Sequence, residues 1–225
     1  MTKAIISYDD TLNDHDALAL GRLLGEAGAE LILAYVRHSN HGQRAREEDE
    51  AWALLERGAR WLDDLDVQRR VVVSASTGTG LGWLAEHEEA DIVVFGSDYR
   101  TAAGRVSPQR SAQALLEGGP AAVAIAPANY RARRDHSIAR IGVMAGSGDD
   151  AALATANELA GRLGAQLTNV ETDCDLLVVG SRPEARPGQV MITGQAQNAI
   201  ENARQPVLVL ARGVALGFRE PLFIA

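Results

Sequence analysis

At 225 residues the chain is long enough to bury a sizeable core, as one large domain or two small ones. Its 46% hydrophobic and 23% charged residues are those of an ordinary globular protein, and a net charge of −8 argues against a chain held to nucleic acid by phosphate contacts. No apolar run reaches the roughly 18 residues of a membrane span, Met1-Thr2-Lys3 leads straight into a strand-like run, and the single cysteine excludes an intrachain disulfide. A cytoplasmic location without membrane contact is expected.

Ala4 to Tyr8 reads as a short buried strand that stops at Asp9-Asp10-Thr11. Asp14 to Glu26 follows as a helix, with apolar residues at 17, 18, 20, 23 and 24 on one face, acids in its first turn and Gly28 closing it. Leu31 to Val36 is the second strand. Glu47 to Leu65 is a long helix whose expected buried stripe is Trp52, Leu55, Ala59 and Leu62. Arg70 to Ala75 is strand three, and Leu81 to Glu88 a short helix leading into the strand Ile92 to Phe95. Strands alternating with helices predict a parallel sheet.

The stretch Ala90-Asp91-Ile92-Val93-Val94-Phe95-Gly96-Ser97 returns as Cys174-Asp175-Leu176-Leu177-Val178-Val179-Gly180-Ser181, 84 residues later. From Asp91 to Val123 is 32 residues, as it is from Asp175 to Val207, so a strand–loop–helix–strand unit is repeated. Tyr130 to Arg140 interrupts the pattern with a polar, mostly basic stretch, after which Ile141 restarts it. Ala165-Gln166-Leu167 matches Ala29-Glu30-Leu31 at an offset of 136, so the second copy has lost about 52 residues, the equivalents of the long helix, strand three and the short helix. The expected division is 1–130, a linker 131–140, a truncated copy 141–213 and an arm 214–225; the bare face of the half-domain is expected to pack on the first domain or on another chain, with the arm a candidate to do so.

The strand ending at Asp9-Asp10-Thr11 and the stretch Gly96-Ser97…Gly104-Arg105-Val106-Ser107-Pro108…Gly118-Gly119-Pro120 through Pro127 resemble the universal stress protein family. Gly180-Ser181…Gly188-Gln189-Val190 and Pro206 to Leu210 carry the likeness into the second half, as in the family's tandem two-domain form. The resemblance implies a doubly wound α/β sheet of order 3-2-1-4-5, adenine-nucleotide α-hydrolase-like, with a crevice outside strands one and four. Members that bind ATP seat its phosphates on a glycine-rich loop after strand four, where only glycine lets backbone N–H groups approach. The positions that correspond are Asp9, Val36, Gly96, Ser97, Gly104, Arg110 and Ser111. The pattern is broken: Thr101 and Gln109 stand where the family has glycine, and Arg110 where it has serine or threonine. In the second half Ala145 stands for Asp9, and Thr193-Gly194 for the closing Gly-Ser.

Each feature has a plainer reading. Arg100, Arg105 and Arg110 either hold an anion in place of backbone donors or are solvated charges. Asp9 is either a ligand or a cap on the following turn. Gly78-Thr79-Gly80-Leu81-Gly82 lacks the spacing of a dinucleotide loop and reads as an αL-tolerant turn. His38 and His41 lack a third ligand, the acids of Asp14-His15-Asp16 suit a helix N-terminus, Arg44 to Glu50 is an exposed charged face, and Cys174 is a packed thiol. No set of nucleophile, base and orienting group emerges. A catalytic member of the wider superfold would need a pyrophosphate loop near strand one, and Ser7 to Thr11 contains no glycine.

The expectation is therefore a non-enzymatic stress-response regulator with degraded ATP sites and no cofactor. It would act as a homodimer through Val123–Ala126 and Val207–Leu210, as an intrachain pseudo-dimer, or through another protein. The alternative is an ATP or adenylate switch in the first-domain crevice, with slow hydrolysis.

Overall fold

A computed structural model describes residues 1–38, 44–63, 65–133, 135–146, 148–169 and 173–219. His41, Arg134 of the expected linker and residues 220–225 of the expected arm lie outside them. The first half runs β1 (Lys3–Ser7), α1 (Leu12–Glu26), β2 (Glu30–His38), α2 (Arg44–Leu62), β3 (Val67–Ser74), α3 (Thr77–His87), β4 (Ile92–Gly96), α4 (Arg110–Leu116) and β5 (Ala122–Ala126). After a 3-10 turn at Tyr130–Ala132 come β6 (Arg140–Met144), α5 (Ala151–Leu163), β7 (Gln166–Thr168), β8 (Leu176–Val179), α6 (Gly194–Asn202) and β9 (Val207–Val209).

All nine strands form one sheet in the order β3-β2-β1-β4-β5-β9-β8-β6-β7. The first half therefore has the expected 3-2-1-4-5 order. Every pairing within a half is parallel, and only the seam, β5 on β9, is antiparallel. The seam pairs Val123 with Val209, Ala124 with Leu208 and Ile125 with Val207. Shifting each number by the 84-residue repeat exchanges the two outer pairs and leaves Ala124–Leu208 in place, so the seam has the self-complementary form of a two-fold interface, made within one chain. The two strands named above as homodimer surfaces are thus spent on each other.

Alternation along each strand sends its residues to opposite faces. Ile92 and Val94 join Leu18, Leu24 and Leu55 of α1 and α2 on one side, and this cluster continues into Ile141, Val178 and Leu159 of the second half. Val93 and Phe95 join Leu81 and Leu115 of α3 and α4 on the other, continuing into Leu177, Val207 and Ile200. Both apolar layers cross the seam unbroken.

The Asp that opens each repeated strand also has a structural cause. One Asp91 oxygen accepts from the Lys3 N–H (2.8 Å), and Asp175 accepts from the Ala139 and Arg140 N–H groups (3.0 and 2.9 Å), satisfying the donors at the start of the neighbouring strand.

Several expectations need correction. Gly78 to Gly82 lies inside α3, where Ser76 caps Thr79. Its glycines serve close packing, since a Cβ on Gly80 would meet Val36 at 2.8 Å and one on Gly78 would meet the Ser111 carbonyl at 3.3 Å. Trp52 is 41% exposed, and Ala51, Leu55 and Leu62 carry the buried stripe of α2. The basic linker packs: Arg133 donates to the Arg204 carbonyl and lies over the Tyr130 ring, whose edge meets His136. Of the arm, Gly217 accepts from Thr2, Phe218 from Arg162, and the Leu216 N–H donates to Thr155. This segment joins β1 to α5 across the halves.

Candidate functional site

The sheet order sets β1 beside β4, Ile6 opposite Val94, so the crevice opens beyond their carboxyl ends where the order turns. On the β1 side, Thr11 caps α1 by accepting from the Asp14 N–H at 3.3 Å. One Asp14 oxygen accepts from the Asp9 and Thr11 N–H groups and the Thr11 hydroxyl at 2.9, 3.1 and 2.7 Å. This reciprocal capping box leaves Asp9 with no capping task. The Asp9 carboxylate is exposed and has no hydrogen-bond partner among the described residues. Partial desolvation, with the neighbouring Asp14 charge, pushes its pKa up. Burial does the same to Asp14, against the pull of its hydrogen bonds.

Asp10 stands in the left-handed region at φ 57° and is firmly held. Its carboxylate accepts from the Tyr8 hydroxyl at 2.7 Å and from Arg57 at 2.9 and 2.7 Å, which holds its pKa below the usual carboxylate value. The Tyr8 hydroxyl is driven up, first by burial and then by that bond.

On the β4 side the Gly-Ser pair is used internally. A Cβ on Gly96 would overlap the Asn13 carbonyl, while the Asn13 amide donates to the Ser97 carbonyl at 2.7 Å. The close approach that requires glycine here is that of α1 itself. Ser97 is buried, its hydroxyl donating to the Ala126 carbonyl at 2.7 Å and accepting from the Ser107 N–H at 3.2 Å. Ser181 repeats both bonds, to Leu210 and from Met191, at 2.7 and 3.0 Å.

The loop after β4 is likewise bonded to its own chain. The N–H groups of Asp98, Thr101, Gly104, Arg105 and Val106 donate to the carbonyls of Ser107, Asp98, Ala128, Ala102 and Ala203. Arg100 donates to the Asp98 side chain. The loop after β8 copies this set: Arg182 to Met191, Ala185 to Arg182, Gly188 to Arg212, Gln189 to Arg186 and Val190 to Gly119. Val106 and Val190 each reach the other half of the chain, so the two loops staple the seam.

Of the sequence-predicted residues, Asp9 follows β1 and Gly96 ends β4, the strands on either side of the switch point. Gly104 (φ 73°) has open space around a Cβ and is glycine for its backbone angle. The Val36 side chain is core, against Gly80. Arg110 and Ser111 open α4; Arg110 is exposed with no ion pair among the described residues, and Ser111 packs against Gly78. Arg100 lies over the Tyr99 ring.

Asp16, assigned above to a helix N-terminus, is instead fully buried. It accepts from the Asn129 and Arg131 N–H groups and pairs with the Arg131 guanidinium at 2.9 Å. Neither it nor Asn13 was legible as a tie, because each finds its partner more than eighty residues away. Among the described residues no group of three His, Cys, Asp or Glu is placed to hold a metal ion, and no helix is long and apolar enough to cross a membrane.

No protein-family model and no curated protein matches the sequence. Among solved structures, a universal stress protein from Archaeoglobus fulgidus DSM 4304 superposes with a TM-score of 0.70 at 13% identity, over 94% of this chain and 98% of its own. A candidate universal stress protein from Pseudomonas aeruginosa UCBPP-PA14 gives 0.64 at 14% identity, over 95% and 94%. A functionally unknown protein from Pseudomonas aeruginosa PAO1 gives 0.61 at 14%, over 95% and 93%. The chain has the universal stress protein fold across both halves.

Proposed function

We propose that this chain is a non-enzymatic, stress-response regulatory protein: two universal stress protein units condensed into a pseudo-dimer that acts through a protein partner, its nucleotide crevice closed to phosphate. The fold likeness supports the stress-response part. The loss of phosphate binding rests on the loop after β4. A phosphate seat needs backbone N–H groups free to point at the ligand. Here those of Asp98, Arg100, Thr101 and Gly104 through Ser107 already have acceptors within the chain. Releasing them would expose donors and loosen the seam together, at about 1 kcal/mol or more per bond.

One observation favours a second reading, an adenylate switch: the Asp9 carboxylate is unpartnered among the described residues, at the position to which the resemblance assigns an adenine or ribose contact. Calorimetry with magnesium-ATP separates the two. The expected result is no saturable heat up to millimolar ATP. Micromolar binding that an Asp9→Ala variant abolishes would overturn the proposal in favour of the switch.

A further inference from the structure

Away from the crevice, a cavity of about 400 Å³ opens over the seam between α4 and α6, within the size range of small-molecule sites. Its lining follows the 84-residue repeat. The apolar floor pairs Leu116 with Ile200 and Pro108 with Ile192, and Met191 adds to it. The polar wall pairs Gln113 with Gln197 and Glu117 with Glu201. A pocket built in matched pairs on the local two-fold belongs to neither half alone.

Two lining residues break the symmetry, Met191 at the position of Ser107 and Arg182. Arg182 lines the cavity where the first half has Asp98, whose carboxylate is occupied by the Arg100 N–H. The Arg182 Nε is buried without a hydrogen-bond partner, and the guanidinium has no ion pair among the described residues. A buried donor left unsatisfied is costly unless something fills its place. Glu117 and Glu201 are exposed at the rim, where water screens them, and Glu201 already accepts from Gln197 at 3.0 Å. The cavity therefore holds one half-buried cation without an ion pair among the described residues beside apolar side chains, a match for a single carboxylate.

We propose that this seam cavity binds a small apolar molecule bearing a single carboxylate, the head on Arg182 and the body on Met191, Ile192, Leu116 and Ile200. The occupant bridges both halves, so it stabilises the seam. The site is separate from the Asp9 crevice, and its test does not depend on the outcome with ATP.

Octanoate, octanol and octylamine share one apolar body and differ in the head group, so calorimetric titration of the full chain with each, well below micelle-forming concentrations, reads the head-group preference. Octanoate is expected to bind saturably and at least about tenfold more tightly than the other two, as a charge-assisted guanidinium–carboxylate pair requires. Arg182→Gln is expected to lose that preference. Gln113→Trp, a substitution at an exposed position on α4 that obstructs the mouth, is expected to abolish binding while circular dichroism stays unchanged. Octylamine binding best, octanoate binding undiminished in Arg182→Gln, or no saturable binding by any of the three would each overturn the proposal.

Discussion

Gly96 and Ser97, adjacent in sequence, are conserved between the two halves of this chain for unrelated physical reasons. Glycine makes room for the Asn13 carbonyl, and serine ties β4 to β5 and to its own loop. Ser97→Ala and Ser181→Ala are each expected to cost about 1–3 kcal/mol in urea unfolding, because each strands a buried acceptor and donor. Equal losses would identify both hydroxyls as structural; a large loss at Ser97 alone would contradict the matched geometry. Asp10 sets an acid dependence. Its folded pKa is lowered by Tyr8 and Arg57, so its contribution is present above the unfolded value and is lost as pH falls through the folded one. The stability gap between wild type and Asp10→Asn should narrow as pH falls below the unfolded carboxylate value of about 4. At the alkaline end Tyr130 is pushed up to about 12, chiefly by burial. Its contribution is present below its unfolded pKa of about 10 and is lost as pH rises toward 12. Ultraviolet titration should show tyrosines that ionise only as the fold opens.

The decisive element is the antiparallel pair β5–β9. Parallel pairing builds each half, but two like halves that meet by the same edge strand can satisfy a two-fold only by running antiparallel. Leu208 lies on that axis opposite Ala124, and proline there removes a ladder donor and forces the strand open. All three tryptophans, Trp52, Trp61 and Trp83, belong to the first half. In the parent chain, unfolding followed by tryptophan fluorescence and by far-ultraviolet circular dichroism should coincide. In Leu208→Pro the dichroism should fall at lower denaturant than the fluorescence, as the second half melts first. Coincident curves in the variant would mean that the seam is not what couples the halves.

For the whole molecule, the consequence is self-sufficiency. The strands that would pair two chains are paired within one, both apolar layers run through the seam, and segment 214–219 ties β1 to α5. Light scattering is expected to return the monomer mass of 23.9 kDa; a dimer mass would require a contact other than β5 or β9. Cys174, buried with its pKa raised by burial, is expected to react with thiol reagents only after unfolding.

What the sequence determined by itself is what depends on local pattern. Unbroken apolar runs such as Ile92 to Phe95 mark strands covered on both faces. The 84-residue repeat marks the copied unit, and the 136-residue offset marks the absence of anything between β7 and β8 like α2, β3 and α3. Sheet order followed from the resemblance those motifs carried. The tertiary structure alone decided what depends on partners distant in the chain. It placed Val36 in the core, gave Gly78 and Gly80 to helix packing, left Trp52 in solvent, and buried Asp16 against Arg131, 115 residues away. It also gave the N–H groups of the loop after β4 acceptors within the chain. The same glycines and serines suit a loop that faces a ligand and one that bonds to its own chain; the two differ only in where the N–H groups find acceptors. Some of those acceptors, Ser107, Asp98 and Ala102, lie in the loop itself, but Ala128 follows β5 and Ala203 belongs to the other half, and only the folded chain brings these two within reach.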